Sequence, residues 1–434
     1  MPKYIYQPLD KPISEFRLLR ISKHPLIDLP QCSLQKYSLT DCPEYTALSY
    51  IWGEPTPTYR VAIEGANIEV RQNLFDFLDA YITEAWGMDN TTRPVFYWID
   101  QICINQEDPI ERSDQVRIMD KIYRQAKMVL VWLGCDPTMI EAVRRLREKH
   151  DEVRALDTLL EHPYFSRIWI VQEFSLSVNP PLFVCLGTEL SCDRIRHTSE
   201  WTPIYIPSVA FSNIIYERGR EIRTLNQCIH LHCDKHSSDP RDKVYGLLGL
   251  TSQRWRVRVD YTKDVLEVYF DAVAALFEEL FDLSDPECMY PKELTDMANS
   301  RDYRRTLYVL ARAMGVGGRR LEGLMEFLTH IQGAYLNTKT RNVQYIYTGR
   351  IYTRVQEQSS FEQTLAPEEE EFEVSWGSIL ATRQNPLLRD IIPEMGLQLV
   401  SATAESTAEQ SGDCIPARDR WWCKHSGEVH YFDC

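Results

Sequence analysis

Tyr97-Trp98-Ile99-Asp100-Gln101-Ile102-Cys103-Ile104-Asn105-Gln106 is the stretch that decides the fold. With the two residues before it, it forms a compact apolar run, Val95–Ile99, that ends at Asp100, as a strand buried in a parallel sheet does. A polar loop follows. Asp108-Pro109-Ile110-Glu111 then supplies an N-cap, a proline at N1 and a glutamate at N3, the arrangement of a capping box. Val116, Met119, Tyr123 and Ala126 recur at helical spacing, and Met128–Leu133 is a second apolar run closed by Gly134. Strand, helix and strand in this order predict a parallel sheet covered on both faces, with ligands at the carboxyl ends of its strands.

Working outward, Phe16–Ile21 and Cys32–Leu39 have strand-like content, and Tyr45–Ile51 is an apolar run that stops at Trp52-Gly53-Glu54-Pro55. Val61-Ala62-Ile63 and Ile68-Glu69-Val70 flank Glu64-Gly65-Ala66-Asn67, which predicts a hairpin. Asn73 is placed to cap a helix carrying Leu74, Phe77, Leu78, Tyr81 and Ile82 on one face. Helices are expected at Met139–Glu161 and, after Pro163, at Tyr164–Ser177, with a strand at Leu182–Leu186. The carboxyl ends of the strands then bring Trp52-Gly53, Asp100–Gln106 and the loop near Gly134 to one rim. Beyond about residue 200 the pattern is mainly helical. Lys243–Leu248 is a short helix started by Asp239-Pro240-Arg241-Asp242, and Val265–Leu280 is amphipathic. Glu362–Glu373 is acidic and reads as a linker. The chain divides on this reading into residues 1–200, a mainly helical region 201–360, and a linker with C-terminal segment 361–434.

The 434 residues carry a formal charge of −15, with 44% hydrophobic and 11% aromatic residues. This chain can bury a full core, which excludes wholesale disorder. The acidic balance argues against nucleic acid or an anionic membrane as a partner, since both need a positive field. Met1–Pro8 lacks the apolar segment of a signal peptide, and no apolar run approaches the roughly 20 residues that cross a bilayer. The expectation is a cytoplasmic protein whose 12 scattered cysteines are mostly buried thiols.

Two constellations carry chemistry. Asp100 stands at a strand's end, where it can orient a ribose hydroxyl or a partner side chain, and Asn105 and Gln106 follow with amide groups. Alternatively, Asp100 and Asn105 hydrogen-bond the loop backbone and hold its shape. In the second, Ser166, Trp169 and Glu173 share one face of a helix beginning near Pro163. A carboxylate beside an indole suits a raised pKa or stabilisation of a cation. The competing reading pairs Glu173 with Arg167 as a structural ion pair. Cys228, His230, His232, Cys233 and His236, and likewise Cys423, His425, His430 and Cys434, crowd together without the spacing of a zinc site, so no metal is expected. Gly315-Val316-Gly317-Gly318 lacks the lysine of a phosphate loop, and no dinucleotide fingerprint, GxSxG or HExxH is present.

Five ordered blocks resemble the fungal heterokaryon-incompatibility (HET) domain. They are Tyr45-Thr46-Ala47-Leu48-Ser49-Tyr50-Ile51-Trp52-Gly53; Trp98-Ile99-Asp100 with Cys103-Ile104-Asn105-Gln106; Glu111-Arg112 with Gln115-Val116; Ile122-Tyr123 with Val131-Trp132-Leu133-Gly134; and Arg167-Ile168-Trp169-Ile170-Val171-Gln172-Glu173. Asp239–Leu250 resembles a segment that often follows this domain.

The resemblance implies a role in non-self recognition and programmed cell death, and a distant relation to TIR domains. It therefore implies an α/β, TIR-like (flavodoxin-like) fold: a mostly parallel sheet flanked by helices, followed by the mainly helical C-terminal region. Some TIR domains cleave NAD⁺ with a helical glutamate in a Ser-x-Trp-x-x-x-Glu context, which carries over to Glu173 as the catalytic candidate. Nicotinamide is already a cationic leaving group, so a single carboxylate suffices for the glycosidic cleavage. Tyr50 or Trp52 would stack on a ring of the nucleotide, Asp100 or Asn105 would hold a ribose, and Gly53 and Trp169 complete the binding set. NAD⁺ enters as substrate, with no cofactor required. A homo-oligomer and an activating protein are the expected partners. The alternative is a non-enzymatic module that signals by recruiting partners.

Overall fold

The computed structural model describes residues 1–24, 29–83, 95–195, 224–251, 257–280 and 301–317, and six strands beyond residue 330. It divides into two units, Met1–Asp264 and Val265–Cys434.

The first unit is built on a nine-stranded sheet: β1 (Glu15–Lys23), β2 (Pro30–Ser38), β3 (Thr46–Tyr50), β4 (Thr58–Ile63), β5 (Ala66–Arg71), β6 (Tyr97–Trp98), β7 (Met128–Trp132), β8 (Leu182–Cys185) and β9 (Thr188–Ser191), in the spatial order β5-β4-β2-β1-β6-β3-β7-β8-β9. The expected helix-linked strands are there. β3 runs parallel to both β6 and β7, and β7 runs parallel to β8. The sheet as a whole is mixed rather than mostly parallel. β1 pairs antiparallel with β2 and β6, β4 with β5, and β8 with β9. The reason lies in the connections: strands joined by tight turns, at Glu64-Gly65 and Leu186-Gly187, return antiparallel, whereas parallel neighbours, β2 with β4 included, need a longer crossover connection.

Burial follows position. All five residues of β3 are buried, as are four of five in β7, whereas the outer β4 alternates. Trp98 and Trp132 are wholly enclosed at the centre. Helices cover the sheet: α1 (Gln72–Ile82), α2 (Asp100–Cys103), α3 (Pro109–Gln125), α4 (Pro137–Glu148), α5 (Glu152–Leu160) and α6 (Trp169–Ser175). The α3 start is as the sequence predicts, because the Asp108 carboxylate accepts from Ile110 N and Glu111 N at 2.9 and 3.2 Å. Glu111 does not close the box, however; its carboxylate goes to Arg17 and to Asn105 N. Asn73 does not cap α1 either. It lies inside the first turn, donating to Ile51 O at 2.7 Å and accepting from Trp132 Nε1 at 3.0 Å, and so ties the ends of β3 and β7 together.

Two helices expected to be continuous are broken. Met139–Glu161 divides into α4 and α5 because Lys149 and Asp151 adopt left-handed backbone. Tyr164–Ser177 divides into a short 3-10 helix, Pro163–Ser166, and α6, because Arg167 is extended (φ −72°, ψ 139°). Ser166 therefore does not share a helical face with Trp169 and Glu173. It is exposed, and its hydroxyl donates to Pro163 O at 2.7 Å. The unit closes with α7 (Leu225–His232), capped by Thr224, and α8 (Asp242–Tyr245).

In the second unit, α9 (Val265–Leu280) and α10 (Arg301–Ala313) give the later helical region, with Tyr269 donating to Leu307 O at 3.2 Å. The region is not helical throughout. Ile331–Asn337, Asn342–Tyr347, Arg350–Arg354 and Leu397–Leu399 form a four-stranded antiparallel sheet, and Arg420–His425 pairs with Glu428–Asp433. Asn-Val-Gln-Tyr-Ile-Tyr, with its alternating β-branched and aromatic residues, explains that outcome. The acidic stretch Glu362–Glu373 lies outside the described residues, as do Gly318 and Cys434. Among the described residues no helix is long and apolar enough to cross a membrane, and no group of three or more His, Cys, Asp or Glu side chains is placed to hold a metal ion.

Candidate functional site

The carboxyl ends of β3 and β6 bring together a cluster of enclosed ionisable groups. Ser49 and Tyr50 end β3, Asp100 follows β6, and the break at Arg167 sets α6 so that Glu173 faces the same place. Glu173 is 2% exposed. Its Oε2 accepts a short hydrogen bond from Ser49, whose hydroxyl also pairs with Tyr164 Oη at 2.7 Å. Arg167 Nη1 stands 3.6 Å from the same carboxylate oxygen and makes no hydrogen bond, although the atom is enclosed. Burial pushes the Glu173 carboxyl above its ordinary value; Arg167 and the Ser49 hydroxyl oppose the rise, and the charge of Asp100 adds to it.

Asp100 lies at the half-buried mouth of this cluster. One carboxylate oxygen accepts from Trp52 Nε1 at 2.8 Å and the other from Gln101 N at 2.7 Å. Burial raises its pKa too, against the opposing charge of Arg167 and the bond from Trp52. The charge of one guanidinium thus acts on two carboxyls that burial pushes above their ordinary values. Tyr50 donates to Gln101 Oε1 at 3.2 Å, so its hydroxyl belongs to the same rim.

The other sequence-selected residues divide differently. Trp52 is half-buried against the core, and the Arg71 guanidinium lies 5.1 Å from its ring centroid while donating to Gly53 O at 2.7 Å. One face of Trp52 is therefore occupied within the chain. Asn105 works as a loop holder: its side-chain oxygen accepts from Glu107 N at 3.3 Å and its own N–H donates to Glu111 Oε1 at 2.8 Å. Trp169 is turned from the cluster, with Nε1 donating to Asp242 Oδ2 at 3.0 Å. The structure thus gathers Tyr50, Trp52, Asp100 and Glu173, leaves Gly53 and Asn105 in flanking loops, and sends Trp169 to another partner.

Ser49, Tyr164 and Asp242 are absent from the sequence-selected set. Ser49 carried a readable signal, being a small polar residue within the fully buried Ala47-Leu48-Ser49-Tyr50 of a central strand. Asp242 lies in Asp239–Leu250, the segment that resembles one often following the domain, but its bond to Trp169 joins residues 73 apart and is not visible in either stretch.

An α/β sheet whose buried ionisable groups collect at the carboxyl ends of parallel strands is the class of domain in which ligands bind at that edge. Within this class, the chain matches, over residues 45–173, the family described as Heterokaryon incompatibility protein (HET). It is also 25% identical over 364 residues to "Heterokaryon incompatibility protein 6, OR allele" of Neurospora crassa, covering 62% of this chain and 53% of that protein. The chain thus spans about half the length of this curated relative. No solved structure matches the chain.

Proposed function

We propose that this protein acts in fungal heterokaryon incompatibility as a cell-death effector, and that its HET domain cleaves the N-glycosidic bond of NAD⁺ or a related nucleotide at the strand-end cluster. The observation that supports the reading is the pairing of a buried Glu173, whose carboxyl burial pushes above its ordinary value, with an Arg167 whose Nη1 has no hydrogen-bond partner. Such a pair holds unspent binding capacity at the edge where α/β domains take ligands. The TIR-like character of the domain belongs to the same proposal.

In the reaction, the bond between ribose C1′ and the nicotinamide nitrogen breaks, and its electron pair leaves with the ring, which becomes neutral. No proton donor is needed for that departure. The Glu173 carboxylate stabilises the developing oxocarbenium charge, water adds at C1′, and its proton passes to solvent. Asp100 and Tyr50 lie where they would hold ribose hydroxyls. The enclosure of Glu173 means that nucleotide enters only after the Trp52–Asp100 rim opens, which assembly into an oligomer or an activating protein would bring about. On this reading the enzyme is cytoplasmic and needs no metal or cofactor.

Incubating the assembled full chain with NAD⁺ tests the proposal. Nicotinamide release by wild type and its loss in Glu173→Gln are expected; equal release from both removes Glu173 from the mechanism. The same enclosure of Glu173 also favours a second reading, a module that kills by recruiting partners. Cell death on expression of Glu173→Gln, undiminished from wild type, would decide for that reading.

A further inference from the structure

The stretch that carries Arg167 and Glu173 is gripped by a segment outside the family match. His236 N–H donates to Ser166 O at 2.6 Å and Ile168 N–H donates to His236 O at 2.9 Å, so Arg167 is bracketed in a parallel bridge with His236. Lys235 Nζ donates to Phe165 O at 2.8 Å. Asp242 accepts from Trp169 Nε1 with one oxygen and from Tyr261 Oη, at 2.7 Å, with the other. Two glycines then bring the backbone against α6. A Cβ on Gly246 would stand 3.3 Å from Ile168 Cγ2, and one on Gly249 would stand 2.8 Å from Gln172 Cδ and 3.0 Å from Asp120 Cβ. Gln172 is the neighbour of Glu173 and is itself buried.

These contacts explain a feature that local sequence does not. The run from Pro163 to Ser177 has helical periodicity, yet Arg167 is extended. The two backbone bonds to His236 replace the intrahelical bonds that the break forfeits. The break in turn fixes where the Arg167 guanidinium points and where α6 begins. The segment is itself anchored to α3: Arg112 pairs with Asp239 at 3.5 Å and lies 3.6 Å from the centroid of the Tyr261 ring, and Tyr261, whose hydroxyl donates to Asp242, donates its N–H to Ser113 Oγ at 2.8 Å.

We propose that residues 235–251 are a clasp that completes the strand-end site, with Asp242 and Gly249 as positioning residues that act on Arg167 and Glu173 through Trp169 and Gln172. The assignment of a catalytic consequence rests on the nucleotide-cleaving reading above; the clasp itself does not. Neither residue touches the cluster directly. Asp242 fixes the first turn of α6, and Gly249 leaves room for Gln172.

The test uses the full chain with Asp242→Ala, Asp242→Asn and Gly249→Leu. Hydrogen exchange is followed across residues 165–173 and, as an internal control of folding, across β3 and β7. Asp242→Ala is expected to speed exchange across 165–173 about tenfold or more while β3 and β7 keep their protection, the signature of a local opening. Asp242→Asn restores it, because an amide can accept from Trp169 and donate to the Tyr261 hydroxyl. Gly249→Leu should give the same local acceleration as Asp242→Ala. If nicotinamide release is measured alongside, kcat falls about tenfold in Asp242→Ala with a smaller change in KM, and recovers in Asp242→Asn. Unchanged exchange across 165–173 in both Asp242→Ala and Gly249→Leu overturns the clasp. A wild-type protein that releases no nicotinamide overturns the enzymatic reading alone, and the exchange results still decide the clasp.

Discussion

Two buried arginine–glutamate pairs stand on the same sheet and do opposite things with their hydrogen bonds. Arg17 and Glu111 meet fork to fork at 2.6 and 2.9 Å. Arg17 also donates to Cys103 O and Gln7 O, and Glu111 also accepts from Asn105 N. Burial opposes the charge on Arg17, but the bonds and charge of Glu111 outweigh it and hold the guanidinium above its ordinary value. Glu173 is as enclosed and Arg167 less so, yet they stand 3.6 Å apart, the arginine leaves a buried donor unbonded, and the glutamate holds its proton more readily than a free carboxyl. The first pair is spent on holding β1, the Asn105 loop and α3 together. The second keeps bonding capacity in reserve, as a site must.

Breaking the first pair should have the largest effect. Glu111→Ala leaves Arg17 buried and charged without its partner, at a cost of about 3–5 kcal/mol, read as a fall in the free energy of urea unfolding. Ser49→Ala comes next. It strips a buried hydroxyl from both Glu173 and Tyr164 and should cost about 1–3 kcal/mol, with the exchange of β3 amides otherwise preserved.

A smaller effect concerns pH and sharpens the comparison by way of the clasp. Burial lifts the Asp242 carboxyl from 3.8 to about 6 against the hydrogen bond from Tyr261, and the charge of Asp239 adds to the rise. The folded protein therefore binds that proton more tightly than the unfolded chain does. The contribution is fully present below pH 3.8 and is lost as pH rises to about 6. Subtracting the stability of Asp242→Asn from that of wild type at each pH should show a decline across this window and a plateau above it. A flat difference would mean that Asp242 titrates normally.

Much of the fold was legible because it is local. The apolar runs that became β3 and β7 are buried on both faces, and Asp108 caps α3 from two residues away. The sites of failure are non-local. Nothing near Arg167 announces that its backbone will pair with His236, so local periodicity predicts a continuous helix there and sets Ser166 on the face it does not occupy. Asn73 has the chemistry of a cap, but Ile51 and Trp132 claim its amide. For the site itself, Glu173, Asp100 and Tyr50 could be chosen because a strand end or a motif marks each one. The role of Asp242 is not marked in this way, since it arises only when residues 235–251 and Tyr261 meet α3 and α6. The ring of Trp52 suits stacking on a nucleotide, but Arg71 already covers one face.

The smallest expected stability change is also the most telling. If Glu173 is held for chemistry, Glu173→Gln should unfold within about 1 kcal/mol of wild type, because the amide can keep the Ser49 bond and Arg167 still faces Asp100. The measurement is the free energy of urea unfolding of the two proteins at neutral pH. A near-equal value is the result expected of a site residue. A loss approaching the ~3–5 kcal/mol of a broken buried ion pair would make Arg167–Glu173 a second structural bridge, like Arg17–Glu111, and would contradict the account.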